Sequence, residues 1–245
     1  VIESTGVFRK EQDVKKHLAA GAKAVILSAP GKDGNIKTIV KGVNDDIMTS
    51  TDMVIDNASC TTNCIAPVME ILERYFGIEK SFMTTIHSYT ADQNLVDGPH
   101  KDLRRARGAA VNIIPTSTGA AQAAGKTVPA LEGKFDGLAI RVPTPVGSLS
   151  DITVLLKKDT TPEEINNIFK KEAASSRYQG ILETTEEEIV SGDIIKNPSS
   201  SIVDLSLTAV VGGNLAKVIS WYDNEWGYSN RLVEQTLALA KKIIG

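Results

Sequence analysis

Apolar positions recur at helical spacing over residues 10–20 (KEQDVKKHLAA), and the pattern stops at Gly21, which suits the position after a helix. Residues 24–27 (AVIL) read as a buried strand ended by Pro30-Gly31. Residues 32–51 are turn-rich around a short strand at 36–40, and 53–56 (MVID) is another buried strand. Ile65, Val68, Met69 and Leu72 fall at helical spacing and predict a helix from about Cys60 to Phe76. Such alternation is the tail of a doubly wound α/β unit.

Beyond Gly77 the period shifts towards strands. Residues 82–87, 138–142, 152–156, 202–207 and 215–222 alternate or run apolar as sheet strands do. Residues 89–116 are polar and irregular, with Gly98-Pro99 and the basic group Arg104-Arg105-Ala106-Arg107; so long a segment in a compact domain is usually functional. Thr161-Pro162-Glu163-Glu164 is a capping box with proline at the first helical position, opening a helix that buries Ile165, Ile168 and Phe169. ETTEEE at 183–188 reads as a solvated helix end, and a final helix carries Leu232, Val233, Leu237, Ala240, Ile243 and Ile244 on one face. The expected fold is an α+β domain, a mixed or antiparallel sheet with helices on one face. The C-terminal tail of a doubly wound α/β domain precedes it.

Composition narrows the classes. Hydrophobic residues make up 42% of the 245 positions and charged ones 23%, enough for a core and against disorder. With 27 basic and 30 acidic residues the net charge is −3, which argues against nucleic-acid binding as the main role. No apolar run approaches the roughly 18–20 residues that span a bilayer, and the first residues do not read as a signal peptide. The chain has no initiator Met and enters Val1-Ile2-Glu3 as if in mid-strand, so it reads as part of something longer. Its two cysteines are too few for a disulfide framework and lack Cys-x-x-Cys spacing; a reducing compartment is the natural reading, and no metal is implied.

Cys60 opens the predicted helix, where backbone N–H groups and the helix dipole favour a thiolate. A reactive thiol and a small packed side chain both fit that position. Cys64, one turn in, reads as packing. His87 ends a strand where the irregular segment begins; a histidine is the usual group that activates a thiol, yet the spacing does not show that the two meet. His17 and His100 read as exposed. Ser59, Thr61, Thr90, Thr116, Ser117 and Thr118 flank the same stretches, and Arg141 ends a strand. A guanidinium fork with short hydroxyls suits a phosphate dianion, and Arg141 equally suits a structural ion pair. The run from Gly119 to Thr127 is not a P-loop, having five residues between its glycines in place of four, and reads as a helix. Gly-x-Gly-x-x-Gly is absent.

Ala58-Ser59-Cys60-Thr61-Thr62-Asn63-Cys64, His87-Ser88-Tyr89-Thr90, residues 115–121 (PTSTGAA), Arg141-Val142-Pro143-Thr144-Pro145 and residues 221–229 (WYDNEWGYS) resemble, in order and spacing, the phosphorylating glyceraldehyde-3-phosphate dehydrogenases. The resemblance covers essentially the whole chain, and the glycine-rich start of that family's cofactor domain has no counterpart in it. It implies residues 1–59 as the remnant of an NAD-binding domain, 60–225 as the catalytic domain, and 226–245 as a C-terminal helix returning to the former.

The implied chemistry is oxidation of D-glyceraldehyde 3-phosphate to 1,3-bisphosphoglycerate in glycolysis or gluconeogenesis. Cys60 forms a thiohemiacetal and then a thioester, and His87 holds the thiolate and acts as base. The incoming inorganic phosphate falls to Ser59, Thr61, Thr118, Gly119 and Arg141, and the substrate's own phosphate to Thr90 and Arg141 with Arg105 nearby. Asn224 would hold the nicotinamide carboxamide, Tyr228 would pack near the ring, and Thr5-Gly6 would lie under the cofactor. Gly98-Pro99 favours NAD over NADP. The resemblance also implies a cytoplasmic homotetramer, with residues 89–115 against a neighbouring subunit. Without the glycine-rich half, the 245 residues alone are expected to be nearly silent in hydride transfer, though able to take an acyl group at Cys60. Two other readings stand beside this one. One is a silent domain that only folds or oligomerises; the other is a sister dehydrogenase for erythrose 4-phosphate, against which Thr118-Gly119-Ala120-Ala121 speaks.

Overall fold

The structure, a computed structural model, describes residues 1–33 and 35–244. Its first layer is a small parallel sheet. β1 (Ile2–Glu3) leads through α1 (Glu11–Ala19) to β2 (Val25–Leu27), β3 (Lys37–Thr38) and β4 (Val54–Asp56), in the order β1-β2-β4-β3 with every pairing parallel. Parallel pairing puts all four carboxyl ends on one edge, the edge where α/β sheets bind ligands. The chain leaves β4 at that edge and enters α2 (Cys60–Phe76) after three intervening residues.

Ser59 caps α2: its hydroxyl accepts the Thr62 N–H at 3.1 Å. Gly77, at φ +71°, ends the helix and turns the chain into β5 (Ile78–Ser88). After the irregular segment come β6 (Ile114–Ser117), α3 (Ala120–Thr127), β7 (Phe135–Val142), β8 (Ser148–Leu156) and α4 (Pro162–Ala173). Then follow β9 (Leu182–Thr185), β10 (Ser201–Val211), β11 (Leu215–Tyr222) and α5 (Trp226–Ile244). The second sheet runs β6-β7-β5-β8-β11-β10-β9. Only β5·β7 and β10·β9 are parallel in it. One continuous core joins α2, α3 and α4 to this sheet, through Ile65, Leu72, Ala121, Phe169, Ile152, Val203 and Tyr222 among others. The α+β layer with helices on one face, behind a doubly wound remnant, is therefore present as expected. No described helix is long and apolar enough to cross a membrane.

Three expectations need correction. Residues 183–185 are not a helix end: with Leu182, which is buried, they form β9, parallel to β10 at the sheet's edge. The inward face of α5 is rotated from the apolar stripe. Leu239, Leu232, Ala238 and Ile243 pack on Ile26, Ile39, Met48 and Ile55 of the first layer, while Val233 and Leu237 are 54% and 57% exposed. The Ile244 side chain lies outside the described residues. Arg231 and Gln235 take inward positions instead; Arg231 donates to the Gly180 carbonyl at 2.6 Å and to Glu234 at 2.8 Å. Neither histidine read as exposed is free. His17 Nε2 lies 2.6 Å from Glu3, and His100 Nδ1 accepts the Asp102 N–H at 2.9 Å.

Candidate active site

Cys60 is the first residue of α2, and its Sγ lies 3.4 Å from His87 Nε2. The sheet register explains what brings the imidazole there. His87 pairs with Arg141 across the parallel strands β5 and β7, so two residues 54 apart in sequence stand side by side. His87 Nδ1 is 2.7 Å from the Ser88 carbonyl. Nδ1 also lies 3.0 Å from Arg141 Nη1, which only donates, whereas the carbonyl only accepts; in the tautomer that gives its Nδ1 proton to the nearer carbonyl, the Nε2 lone pair faces the thiol. Arg141 Nη1 donates to the same carbonyl at 2.9 Å and to Thr90 Oγ1 at 3.2 Å.

Burial pushes the Cys60 thiol up and His87 down, to about 3, since each charge alone is poorly solvated there. Arg141 and the Thr61 hydroxyl pull the thiol back, and Arg141 and Arg105 disfavour a protonated His87 further. A proton passed from Sγ to Nε2 makes both charges together at contact distance. Their attraction opposes the desolvation that disfavours each charge alone, and the anion would fall at the positive end of α2. Cys64 has no such partner: burial pushes it up to about 12, and its sulfur meets Ser220 Oγ at 3.4 Å. At pH 8 to 9, iodoacetamide is expected to modify Cys60 and leave Cys64 intact, as read by peptide mass.

Arg141 is half-buried, its Nε is a buried donor without an acceptor, and it meets no carboxylate among the described residues. A cation so placed fits an anionic ligand. Arg105 is different: it is paired with Asp92, and its Nε donates to Thr116 Oγ1 at 2.9 Å, so little of its fork is left over. Thr90 belongs to the site through Arg141. Ser59 and Thr61 flank the sulfur, but their hydroxyls are in use. Ser59 caps the helix, and Thr61, 4% exposed, meets the Tyr222 hydroxyl at 2.9 Å. Thr118 Oγ1 accepts the Ala120 N–H at 3.2 Å where Gly119 opens α3, and neither residue hydrogen-bonds to Cys60 or His87.

Of the residues proposed for a cofactor, Asn224 is joined to the site through Ser148. Its Oδ1 accepts from Gly147 N at 3.1 Å and Ser148 Oγ at 3.0 Å, and Ser148 Oγ accepts the Ser88 N–H at 3.1 Å. Gly147 is needed there: at φ +92°, a Cβ would fall 2.6 Å from the Ser191 carbonyl. With Oδ1 held by two donors, the Asn224 NH2 is the free end, a donor suited to a carboxamide oxygen. The Tyr228 hydroxyl donates to the Ala58 carbonyl at 3.2 Å, just before Cys60. Thr5 and Gly6 lie apart, at the carboxyl end of β1; Thr5 Oγ1 is tied to Glu3, and Gly6, at φ +74°, faces open space.

Sequence reasoning gave Tyr222 no role. Its hydroxyl lies 2.9 Å from Thr61 Oγ1 and 2.8 Å from Thr85 Oγ1, and its ring stands edge-on to His87 with centroids 5.9 Å apart. An aromatic at the end of an apolar strand carries no signal that separates this from core.

Comparison with known proteins agrees with this geometry. The family described as "Glyceraldehyde 3-phosphate dehydrogenase, C-terminal domain" matches residues 59–224. The glyceraldehyde-3-phosphate dehydrogenase of Mycobacterium avium is 57% identical over 243 residues, 99% of this chain and 71% of that protein; the Mycobacterium tuberculosis H37Rv protein gives the same figures. The Streptomyces coelicolor protein of that name is 54% identical over 244 residues, 99% of this chain and 72% of its own length. A thiol and imidazole in contact beneath an unpaired arginine, in a chain this similar throughout, lead to one conclusion: the chain belongs to the glyceraldehyde-3-phosphate dehydrogenase family of oxidoreductases.

Proposed function

We propose that Cys60 is the nucleophile that adds to the aldehyde of glyceraldehyde 3-phosphate, and that His87 Nε2 manages the protons of the reaction. The observation that carries this reading is the Sγ–Nε2 contact of 3.4 Å at the opening of α2, with the unpaired Arg141 guanidinium beside it. Cys60 adds as thiolate and gives a thiohemiacetal. His87 then removes the hydroxyl proton as the hydride on the same carbon departs to a hydride acceptor, and the acyl group remains on Cys60 as a thioester. The Cys60 N–H and His87 face the developing oxyanion. Inorganic phosphate releases 1,3-bisphosphoglycerate and returns Cys60 as leaving group.

NAD, when bound, supplies the hydride acceptor. Asn224 fits the carboxamide through its free NH2, Tyr228 stands over the turn before Cys60, and Thr5-Gly6 provide an open backbone at the edge of the parallel sheet. Arg141 and Thr90 would hold phosphate directly. Ser59, Thr61, Thr118 and Gly119 would serve through backbone N–H groups or after their hydroxyls turn, and Arg105 by its field. The boundaries at residues 59/60 and 225/226 follow the passage from the first sheet to the second and back along α5. A homotetramer is supported by Leu95, Val96, Leu103, Val111 and Ile113, all exposed on the irregular segment; a cytoplasmic setting follows from the reduced thiols the chemistry needs.

An assay independent of NAD tests the reading. p-Nitrophenyl acetate is expected to acetylate Cys60 once per chain, and inorganic phosphate to remove the acetyl group. On chains already acetylated, Arg141→Leu should raise the phosphate needed for half-maximal release about tenfold or more. Unchanged phosphate dependence would remove Arg141 from the phosphate site.

A further inference from the structure

Ala58, two residues before the nucleophile, is fully buried and sits at φ +55°, in the left-handed region that a residue with a Cβ rarely adopts. Such a conformation persists only where the surroundings impose it. Two contacts do so. Asp56 Oδ1 accepts the Ala58 N–H at 2.8 Å, and the Tyr228 hydroxyl donates to the Ala58 carbonyl at 3.2 Å. Asp56 is itself fixed from elsewhere in the first layer. Its Oδ2 accepts from Gly31 N and from Thr38 Oγ1, each at 3.0 Å, and its backbone carbonyl accepts the Ile39 N–H at 2.9 Å. It is 1% exposed, it has no ion-pair partner in hydrogen-bond contact among the described residues, and the reaction described above makes no use of it.

We infer that Asp56 is a positioning residue for Cys60: its carboxylate locks the strained turn at Ala58 and thereby sets where α2 begins and where the sulfur stands. The turn reverses the chain between the end of β4 and the first turn of α2. If Ala58 relaxed to negative φ, Ser59 and Cys60 would swing away from the cap position and from His87. The same carboxylate joins the β2–β3 connection at Gly31 and strand β3 at Thr38 to that turn, beside the Asn57 N–H that donates to the Leu27 carbonyl at 3.1 Å. This rests on Cys60 being the nucleophile. That premise fails separately, if Cys60→Ser keeps acyl transfer.

The test is the rate of Cys60 alkylation by iodoacetamide, followed at that peptide, with circular dichroism to establish folding. Asp56→Ala is expected to slow it at least tenfold. Asp56→Asn keeps an oxygen for the Ala58 N–H but sets an NH2 against the Gly31 N–H, and is expected to fall between the parent and Asp56→Ala. The deciding variant adds Ala58→Gly to Asp56→Ala. Glycine takes positive φ without strain, so the double variant should recover most of the lost rate, which a general loss of packing would not allow. If Asp56→Ala does not fold, Asp56→Ser holds the turn more weakly and should show a smaller loss that Ala58→Gly again reverses. A folded Asp56→Ala or Asp56→Ser chain with parental alkylation, a loss in Asp56→Asn equal to that in Asp56→Ala, or no recovery with Ala58→Gly would each overturn the inference.

Discussion

Cys60→Ser is expected to abolish acyl transfer from p-nitrophenyl acetate, by about 10^4-fold or more, while leaving the chain folded. The size follows from the chemistry. A serine hydroxyl ionises far above a thiol, and an imidazole 3.4 Å away does not close that gap without the hydroxyl moving closer. The fold should survive, because Cys60 is half-buried at the first position of α2 and hydroxyls already crowd that turn at Ser59, Thr61 and Thr62. Cys64→Ser is the control. Its thiol is buried one turn further in and held to about 12 by burial, so acyl transfer should stay within about twofold. Acyl transfer lost with Cys64→Ser and kept with Cys60→Ser would reverse the two assignments.

Much of this site is legible in the sequence, and the parts that are not share a cause. Cys60 could be read because its signal is local: a strand, a short turn and the opening of a helix lie within a few residues of one another. Contact between Cys60 and His87 could not, because it depends on the register of β5 against α2 and β7. Sequence spacing does not encode which residue of one parallel strand faces which residue of the next. The same register put Arg141 beside His87, which turned an open choice between ion pair and anion site into an unpaired cation. Thr61 was read from its hydroxyl alone, and the structure shows that hydroxyl meeting Tyr222 from a strand 161 residues away. In α5 the apolar stripe misleads because Arg231 and Gln235 occupy inward positions, Arg231 held there by a backbone carbonyl and by Glu234. β9 went unread because an edge strand with one buried side chain, Leu182, has no period to detect.

His87→Asn carries the second large effect. It is expected to lower acyl transfer about 10^2- to 10^4-fold, the usual range for a positioned acid–base group. The diagnostic readout is the pH profile of Cys60 alkylation. In the parent chain a proton can pass from Sγ to Nε2, so thiolate chemistry should persist below the ordinary thiol range. With asparagine the proton has no such acceptor, and what remains is the burial that pushes the thiol up, opposed by Arg141 and Thr61. The apparent ionisation of Cys60 should therefore move to higher pH in the variant, and the low-pH arm of alkylation should vanish. Above that ionisation both chains hold a thiolate, so their alkylation rates should converge while acyl transfer stays impaired, because asparagine cannot take up and return the proton. Superimposable alkylation profiles would mean that the contact at 3.4 Å is packing alone and that the thiol is activated by the helix end and Arg141.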